Sequence, residues 1–332
     1  MKQKTVLVTG GAGYIGSKIS YDLIDKKFKV IILDNLTTGY KFLVPKKVKF
    51  IRCSILNIKK IEKKLKKLKV DTIIHCAASL DVEESDKRLE KYYINNVIGT
   101  ESILRVAIKC KIKNFILSST AAVYGDNKNI SVKENTYLVP ESNYGKTKLL
   151  SEMILKNYAK KYNINYAILR YFNVVGADKK LRCGPVKNKT LFKTLAKNIV
   201  RKQLSVNLYG NNYDTKDGTC IRDYIDINDL SDIHLILLKK IKKIKSIEMN
   251  CGYGKPLSVL DIINAFSKVS QKKIKIINKK KRPGDIEKIY CNITKQKKFL
   301  KHWRQKTTLE QSISNQISWE KKLFNKNAKY KN

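Results

Sequence analysis

Histidine is almost missing from this 332-residue sequence, which holds three, and its seven cysteines lie scattered at 53, 76, 110, 183, 220, 251 and 291. No two cysteines stand at metal-ligand spacing, so a structural zinc site is not expected and the thiols are expected to be reduced. Long apolar runs are lacking as well; none approaches the ~20 residues of a membrane-spanning helix. The first strand is expected within five residues of Met1, which leaves no signal or transit peptide ahead of it. The expectation is a cytoplasmic protein with no metal and no membrane partner.

Acidic residues are scarce: 28 Asp and Glu stand against 70 Lys and Arg, a formal net charge of +42. Such a charge attracts polyanions weakly and in a salt-dependent way. Yet only nine of the basic residues are arginine, whereas specific phosphate and base recognition draws on arginine forks, often interleaved with aromatics. Lysine runs from end to end and is abundant together with Ile and Asn, as an AT-rich coding bias produces. Most lysines are therefore expected on solvated surface, and no specific nucleic-acid partner is expected.

Against these absences, 42% of the residues are hydrophobic, enough to build one large α/β domain with a smaller appendage. Strands are expected at 5–9, 29–33, 48–52, 71–76, 114–118 and 165–170, with helices at 15–26, 58–68, 88–110 and 144–162 between them. Strict alternation of this kind gives a parallel sheet covered on both faces. The fold class expected is α/β, a doubly wound parallel sheet (Rossmann) with a smaller α/β substrate domain. Beyond residue 171 the alternation fades. Residues 176–190 read as loop, 211–218 as a turn-rich segment, and 223–242 as a strand and helix that are candidates to return to the main sheet. The last 80 residues read as a small α/β cap with a frayed end at 325–332. Two interleaved domains with a cleft between them are expected.

The first strand runs into Gly10-Gly11-Ala12-Gly13-Tyr14-Ile15-Gly16. In a strand–turn–helix context Gly10 permits the tight turn, Gly13 lets backbone approach a pyrophosphate, and Gly16 lets helix and strand pack closely. The helix N-terminus then offers unpaired N–H groups to phosphate. Asp34 closes the second strand 18 residues beyond Gly16, where a carboxylate accepts from an adenosine ribose and repels a 2′-phosphate. The cofactor expected is NAD rather than NADP. The plainer alternative makes Asp34 a turn former.

Tyr144 and Lys148 stand at i and i+4, on one helix face. An ammonium near a phenol favours the phenolate and makes it a usable base. Such a pair is also common as mere surface decoration; its place after five βα units is what marks it, because ligand groups gather at the carboxyl ends of parallel strands. Thr120 ends the fifth strand and can reach the same place, although a strand-end hydroxyl is often only a cap.

With these residues in view the chain resembles the extended short-chain dehydrogenases/reductases, and within them the UDP-glucose (UDP-galactose) 4-epimerases, over roughly residues 4–320. The matching segments are VTGGAGYIGS at 8–17, ILDNL at 32–36, NNVIGT at 95–100, SSTAAVYG at 118–125, YGKTK at 144–148, LRYFNVVGA at 169–177, DGTCIRDYI at 217–225 and RPGD at 282–285. The glycine motif and Tyr-x-x-x-Lys define only the superfamily; the RYFN, DGTxxRDYI and SSxAxVYG segments are more specific to nucleotide-sugar 4-epimerases. The resemblance implies a reaction in which Tyr144 takes the proton of the sugar 4-hydroxyl while hydride passes from C4 to NAD. The 4-keto sugar then turns about its diphosphate linkage and receives the hydride on its other face. Lys148 would hold the nicotinamide ribose and tune Tyr144, and Thr120 would orient the 4-oxygen.

The resemblance also implies a division into an NAD-binding domain at 1–172 and 220–252 and a UDP-sugar-binding domain at 173–219 and 253–332. On the cofactor side it implies Tyr14, Ile15, Asn35, Asn95 and Tyr171 as contacts, with Ser54 and Ile55 at the adenine. On the substrate side it implies Phe172, Thr190 and Asn173, with Arg222 and Arg282 on the diphosphate and Asp285 on a ribose hydroxyl. A homodimer joined through the helices at about 88–110 and 143–162 is implied as well.

Several residues depart from the family pattern. Ser54 stands where Asp is usual, Leu80 where Lys is frequent and Thr190 where Asn is common, and residues 178–188 are shortened. By spacing from Arg282, the resemblance implies that Ile289 occupies the position that governs room for a 2-N-acetyl group. Ala121 and Ala122 follow Thr120 where 4,6-dehydratases carry Asp-Glu and related decarboxylases carry Glu, which speaks against both. Epimerases of UDP-GlcNAc or UDP-hexuronates remain as alternatives, and a non-catalytic NAD-sensing or polyanion-binding protein is the rival from another class.

Overall fold

Four of the first five strands are near-continuous apolar runs with almost no exposed position, as sequence buried on both faces of a parallel sheet must be. The structure, a computed structural model, describes residues 4–126, 131–187, 190–282 and 285–329. The chain opens with β1 (Thr5–Thr9), α1 (Tyr14–Asp25), β2 (Lys29–Asp34), β3 (Lys49–Arg52), α2 (Ile58–Leu65) and β4 (Thr72–His75). Then come α3 (Val82–Lys87), α4 (Leu89–Tyr92), a π-helical stretch (Tyr93–Ile98), α5 (Gly99–Lys109) and β5 (Asn114–Thr120). After β6 (Ser131–Val132) follow α6 (Asn143–Tyr162), β7 (Asn165–Tyr171), β8 (Asn173–Val175), α7 (Leu191–Val200) and β9 (Ser205–Tyr209). The remainder is β10 (Ile221–Asp226), α8 (Ile227–Ile244), β11 (Ser246–Cys251), β12 (Pro256–Ser258), α9 (Val259–Ser270), β13 (Lys275–Lys279), β14 (Lys288–Cys291), α10 (Thr294–Leu300) and α11 (Leu309–Lys329).

The main sheet has seven strands in the order β11-β7-β5-β4-β1-β2-β3. All the pairings recorded between β3 and β7 are parallel. The order reverses between β1 and β4, the kind of place where α/β sheets bind ligands. On one face the core gathers Leu7, Ile31, Ile73, Phe115 and Ile168 from the strands with Ile61, Ile103, Leu104 and Leu155 from the helices. The lysine-rich α2 shows how charge and burial are partitioned: Ile61 and Leu65 turn inward while the lysines stay in solvent.

Chain contacts divide the described residues into two units, one within 4–125, 134–171 and 231–250, the other within 126–133, 172–230 and 251–329. The return of the chain to the first unit therefore comes at 231, not at 220. The reason is β10. This strand pairs with β12, β14 and β8 of the second unit, and the strand that rejoins the main sheet is β11. The second unit has its own core, with Phe192, Leu195 and Ile199 of α7, Ile262 and Phe266 of α9, and Ile313 and Ile317 of α11. Residues 325–329, expected to fray, continue α11. That helix is pinned by a buried Lys193–Glu320 ion pair and by Trp319, whose Nε1 donates to the Pro185 carbonyl at 2.9 Å.

At the end of β10, Asp226 is fully buried. It accepts from the Asn228 amide at 2.7 Å and the Asn228 side chain at 2.8 Å through Oδ1, and from the Ser312 hydroxyl at 2.6 Å through Oδ2. Burial pushes its carboxyl up from 3.8 to about 6 against these hydrogen bonds. A carboxylate raised in the folded state weakens folding as pH climbs through that interval and keeps the deficit above it. Asp226→Asn keeps an acceptor for Asn228 and offers Ser312 an N–H, while Ser312 still donates to the Thr308 carbonyl at 3.1 Å. The variant is expected to be more stable at pH 8, by up to about 3 kcal/mol, with the gain shrinking toward pH 4. Thermal melts at both values check this; equal melting temperatures at pH 8 would show that Asp226 carries no burial penalty.

Candidate active site

The turn after β1 is built as the glycines require. Gly10 has φ +67°, and a Cβ there would lie 2.6 Å from the Ala77 amide nitrogen. Its own N–H donates to the Leu33 carbonyl at 2.8 Å. A Cβ on Gly16 would fall 2.4 Å from the Gly10 carbonyl oxygen, so only glycine lets α1 come this close to the turn. Gly13 differs, since its Cβ would meet nothing within 4 Å except that same oxygen at 3.2 Å. Gly13 is the N-cap of α1, with no side-chain cap and no acid in the first turn. Tyr14 and Ile15, half-buried, begin the helix.

Beside this turn Asp34 accepts from the Ala12 amide at 3.0 Å through Oδ2 and from the Leu36 amide at 2.8 Å through Oδ1. Burial raises its carboxyl, and those two amides work the other way. Each oxygen keeps lone-pair capacity for a further donor. Uncapped helix amides with a carboxylate alongside fit a pyrophosphate and an adenosine ribose, and the same carboxylate opposes a 2′-phosphate. Asn35 is exposed and accepts from the Thr37 amide at 3.0 Å. Ser54 accepts from the Leu56 amide at 3.3 Å, and Ile55 is buried in the core.

On α6, Ser142 caps the helix by accepting from the Gly145 amide at 3.1 Å. The Tyr144 amide donates to the Ser85 hydroxyl at 3.1 Å, which fixes the first turn. Tyr144 is 9% exposed and Lys148 3%. Burial pushes the Tyr144 phenol up to about 12, while a hydrogen bond with Thr120 pulls it down. Thr120 also accepts from the Ala122 amide at 3.1 Å, so its oxygen is held at the end of β5. Lys148 is pushed down to about 8 by burial, with the charge of Glu152 as the leading influence the other way. Its ammonium is felt at His75 and Cys76, at the end of β4. Burial and the Thr120 hydrogen bond act on the Tyr144 phenol in opposite directions, and Lys148 stands one turn on along the same helix.

The helix expected at 88–110 is instead interrupted by its π-helical stretch, a kind of irregularity common at functional sites. Asn96 in that stretch is 1% exposed. Its side chain accepts from the Ser79 amide at 2.7 Å and donates to the Ser79 carbonyl and the Thr147 hydroxyl, each at 3.1 Å. Its carbonyl oxygen takes the hydroxyls of Thr100 at 2.6 Å and Ser151 at 3.0 Å. Asn96 thus ties the loop after β4 to the helix carrying Tyr144 and Lys148, a role that sequence reading missed by stopping at Asn95. Asn95 donates to Ser79 Oγ at 3.3 Å. The available signal was two adjacent asparagines, poor helix formers, inside an apolar helical pattern. Tyr171 has its hydroxyl at 2.8 Å from Ser118 Oγ and 2.7 Å from His234 Nε2.

In the second unit Phe172 is buried and its amide donates to the Cys251 carbonyl at 3.1 Å. The Asn173 side chain bonds the Tyr224 phenol. Arg222 donates through Nη1 to the carbonyls of Ile221 at 2.9 Å and Glu287 at 3.2 Å, with Ile289 its parallel partner on β14. Arg282 and Asp285, expected to serve separate ligand groups, hold each other, Nε to Oδ2 at 3.0 Å and Nη2 to Oδ1 at 3.4 Å. The Arg282 guanidinium also lies over the Tyr209 ring, 4.8 Å from its centroid. Thr190 is the N-cap of α7, its hydroxyl oxygen accepting from the Lys193 amide at 3.4 Å.

Among the described residues no group of three or more His, Cys, Asp or Glu is placed to hold a metal ion, and no helix is long and apolar enough to cross a membrane. Residues 6–252 match the NAD dependent epimerase/dehydratase family. A UDP-glucose 4-epimerase of Azospirillum brasilense is 33% identical over 322 residues, 96% of this chain and 92% of that protein. The structure of UDP-glucose 4-epimerase from Bifidobacterium longum in complex with NAD+ and UDP is similar at a TM-score of 0.91 and 33% identity, covering 97% of this chain and 99% of that one. The UDP-Glc/GlcNAc 4-epimerase of Campylobacter jejuni is similar at a TM-score of 0.83 and 34% identity, covering 96% and 99%. The chain belongs to the NAD dependent epimerase/dehydratase family.

Proposed function

We propose that this protein interconverts UDP-glucose and UDP-galactose by NAD-dependent inversion at the sugar C4. The observation that carries the reading is the buried Thr120–Tyr144 hydrogen bond, with Lys148 one helical turn on, at the carboxyl end of a parallel strand. When bound, NAD supplies a cationic nicotinamide ring that accepts a hydride from C4 and returns it. Gly10, Gly13, Tyr14, Ile15 and Gly16 would hold its pyrophosphate, Asp34 and Asn35 its adenosine ribose, and Ser54 and Ile55 its adenine. Lys148 and Tyr144 would hold its nicotinamide ribose, with Asn95 and Tyr171 as further contacts. Tyr144 takes the proton of the 4-hydroxyl onto its phenol oxygen and gives it back, and Thr120 orients the 4-oxygen. Phe172, Asn173, Thr190, Arg222, Arg282 and Asp285 bind the UDP moiety. Arg282 and Asp285 exchange their mutual pair for contacts with the nucleotide.

Ala121 and Ala122, in the turn after Thr120, provide no acid for the elimination that a dehydratase needs. Epimerisation of UDP-GlcNAc is the second reading. The similarity to the Campylobacter jejuni enzyme supports it, and the branched, buried Ile289 weighs against it. Incubating the protein with UDP-galactose, UDP-GlcNAc and UDP-glucuronate and separating the products tests both readings. UDP-glucose from UDP-galactose is expected; protein that holds NAD yet converts none of the three is not an epimerase of these sugars.

The working form we propose is a cytoplasmic homodimer joined through the interrupted helical segment at 88–110 and α6, where Leu89, Ile94, Ile98 and Met153 leave apolar side chains in solvent. Sedimentation at the mass of a single chain would refute that state.

A further inference from the structure

Tyr144, Lys148 and Glu152 occupy i, i+4 and i+8 of α6 and so rise along one helix face. Glu152 is fully buried. Its Oε1 accepts from the Ser119 hydroxyl at 2.5 Å and from Arg170 Nε at 3.0 Å, and its Oε2 accepts from Arg170 Nη2 at 2.7 Å. Arg170, equally buried on β7, spends its remaining donors on Glu248 Oε2, the Tyr124 hydroxyl and the Glu134 carbonyl, each at 3.0 Å. Lys156 closes the far side by pairing with Glu248 at 2.6 Å. The network touches the active residues from both directions, because Ser119 directly precedes Thr120 on β5 and Glu152 lies one turn beyond Lys148. A buried ion pair of this kind is poor value for stability alone, since apolar residues of similar volume do as well or better.

Resting on the catalytic reading above, we propose that Glu152, locked in place by Arg170, is a positioning residue that keeps Lys148 charged one turn from Tyr144 and so sets the upper pH limit of the reaction. Among the described residues, the titratable groups that bear on Lys148 are His75 at the end of β4, Cys76 just beyond it and Glu152 from its own helix. Behind Glu152 stand Arg170 from β7 and Glu248 from β11, with Lys156 on α6. Burial holds His75 neutral, down at about 3, and pushes the Cys76 thiol up to about 11, so neither offers Lys148 a counter-charge near neutrality. That leaves Glu152 as the facing anion. Removing its charge favours loss of the Lys148 proton at lower pH.

The test is the pH profile of kcat for UDP-galactose epimerisation by the NAD-loaded protein. Glu152→Gln keeps the shape and loses the charge; its alkaline limb is expected to move down by on the order of one pH unit at unchanged NAD content. Glu152→Asp keeps the charge but is too short to hold both Arg170 nitrogens; its maximum rate is expected to fall with the limb in place. A Glu152→Gln limb that superimposes on the wild-type limb overturns the proposal, because a merely structural role lowers the rate without moving the profile. If Glu152→Gln does not melt cooperatively, Glu152→Asp at low and high ionic strength and Arg170→Lys, which keeps the cation while loosening its hold on Glu152, are read in its place, and alkaline limbs that superimpose on the wild-type limb in both are equally fatal. Tyr144→Phe run in parallel separates the two levels. If it keeps full turnover the catalytic reading fails; if it is inactive while the limb stays put, only the role of Glu152 fails.

Discussion

Replacing Tyr144 with Phe is expected to lower kcat by about 10²- to 10⁴-fold, the usual contribution of a positioned acid–base group, while the protein still purifies with NAD and melts at nearly the wild-type temperature. The separation of effects follows from where the hydroxyl sits. Its partner is Thr120, whose oxygen keeps a donor in the Ala122 amide after the change. The aromatic ring stays, so the packing of α6 against the turn after β5 is untouched. Burial leaves the phenol up at about 12 in the protein alone, which means that Tyr144 is protonated near neutrality until positive charge is brought to it. Wild-type turnover is therefore expected to rise with pH on the acid side, and the Tyr144→Phe variant should lose that dependence along with the rate. Turnover within a few-fold of wild type would move the base to another residue. Loss of NAD together with activity would mean that the phenol holds the cofactor rather than the proton.

The parts of this site that were legible in the sequence are those set by local rules. Strands β1, β2, β4 and β5 read correctly because burial on both faces forces apolar runs, and the Gly10–Gly16 turn is dictated by backbone sterics within seven residues. What escaped depends on partners far along the chain. The π-helical stretch exists in company with Asn96, whose partners Ser79, Thr147 and Ser151 lie 17 to 55 residues away. Strand β11 went unread because Glu248 and Asn250 interrupt its apolar pattern; both are polar for the sake of Arg170 and Tyr124 on neighbouring segments. Strand β10 is legible as a strand and as a candidate for the main sheet, yet it joins the other one, since nothing in six residues announces which of two sheets they will enter. Glu152 carries no local signal either, because its partners Ser119 and Arg170 lie 33 and 18 residues away.

Arg170→Met is expected to give the largest loss of stability, about 3–5 kcal/mol, because it strips one member from a buried ionic cluster and leaves the other in place. In the native protein the guanidinium satisfies both oxygens of Glu152 along with Glu248, the Tyr124 hydroxyl and the Glu134 carbonyl. After the change Glu248 retains Lys156, and Tyr124 retains the Asn250 side chain, to which it donates at 2.7 Å. Glu152 keeps only the hydroxyl of Ser119 as a direct partner. A carboxylate stranded in this way binds a proton more readily folded than unfolded, so the deficit should be full at pH 8 and shrink toward pH 5. Removing the second charge as well should return much of the loss, since Gln beside Met leaves no unpaired ion behind. Calorimetric melts of wild type, Arg170→Met and the Glu152→Gln/Arg170→Met double variant at both pH values form the test. A double variant no more stable than the single one would locate the cost in lost packing of the arginine stem, not in the orphaned charge.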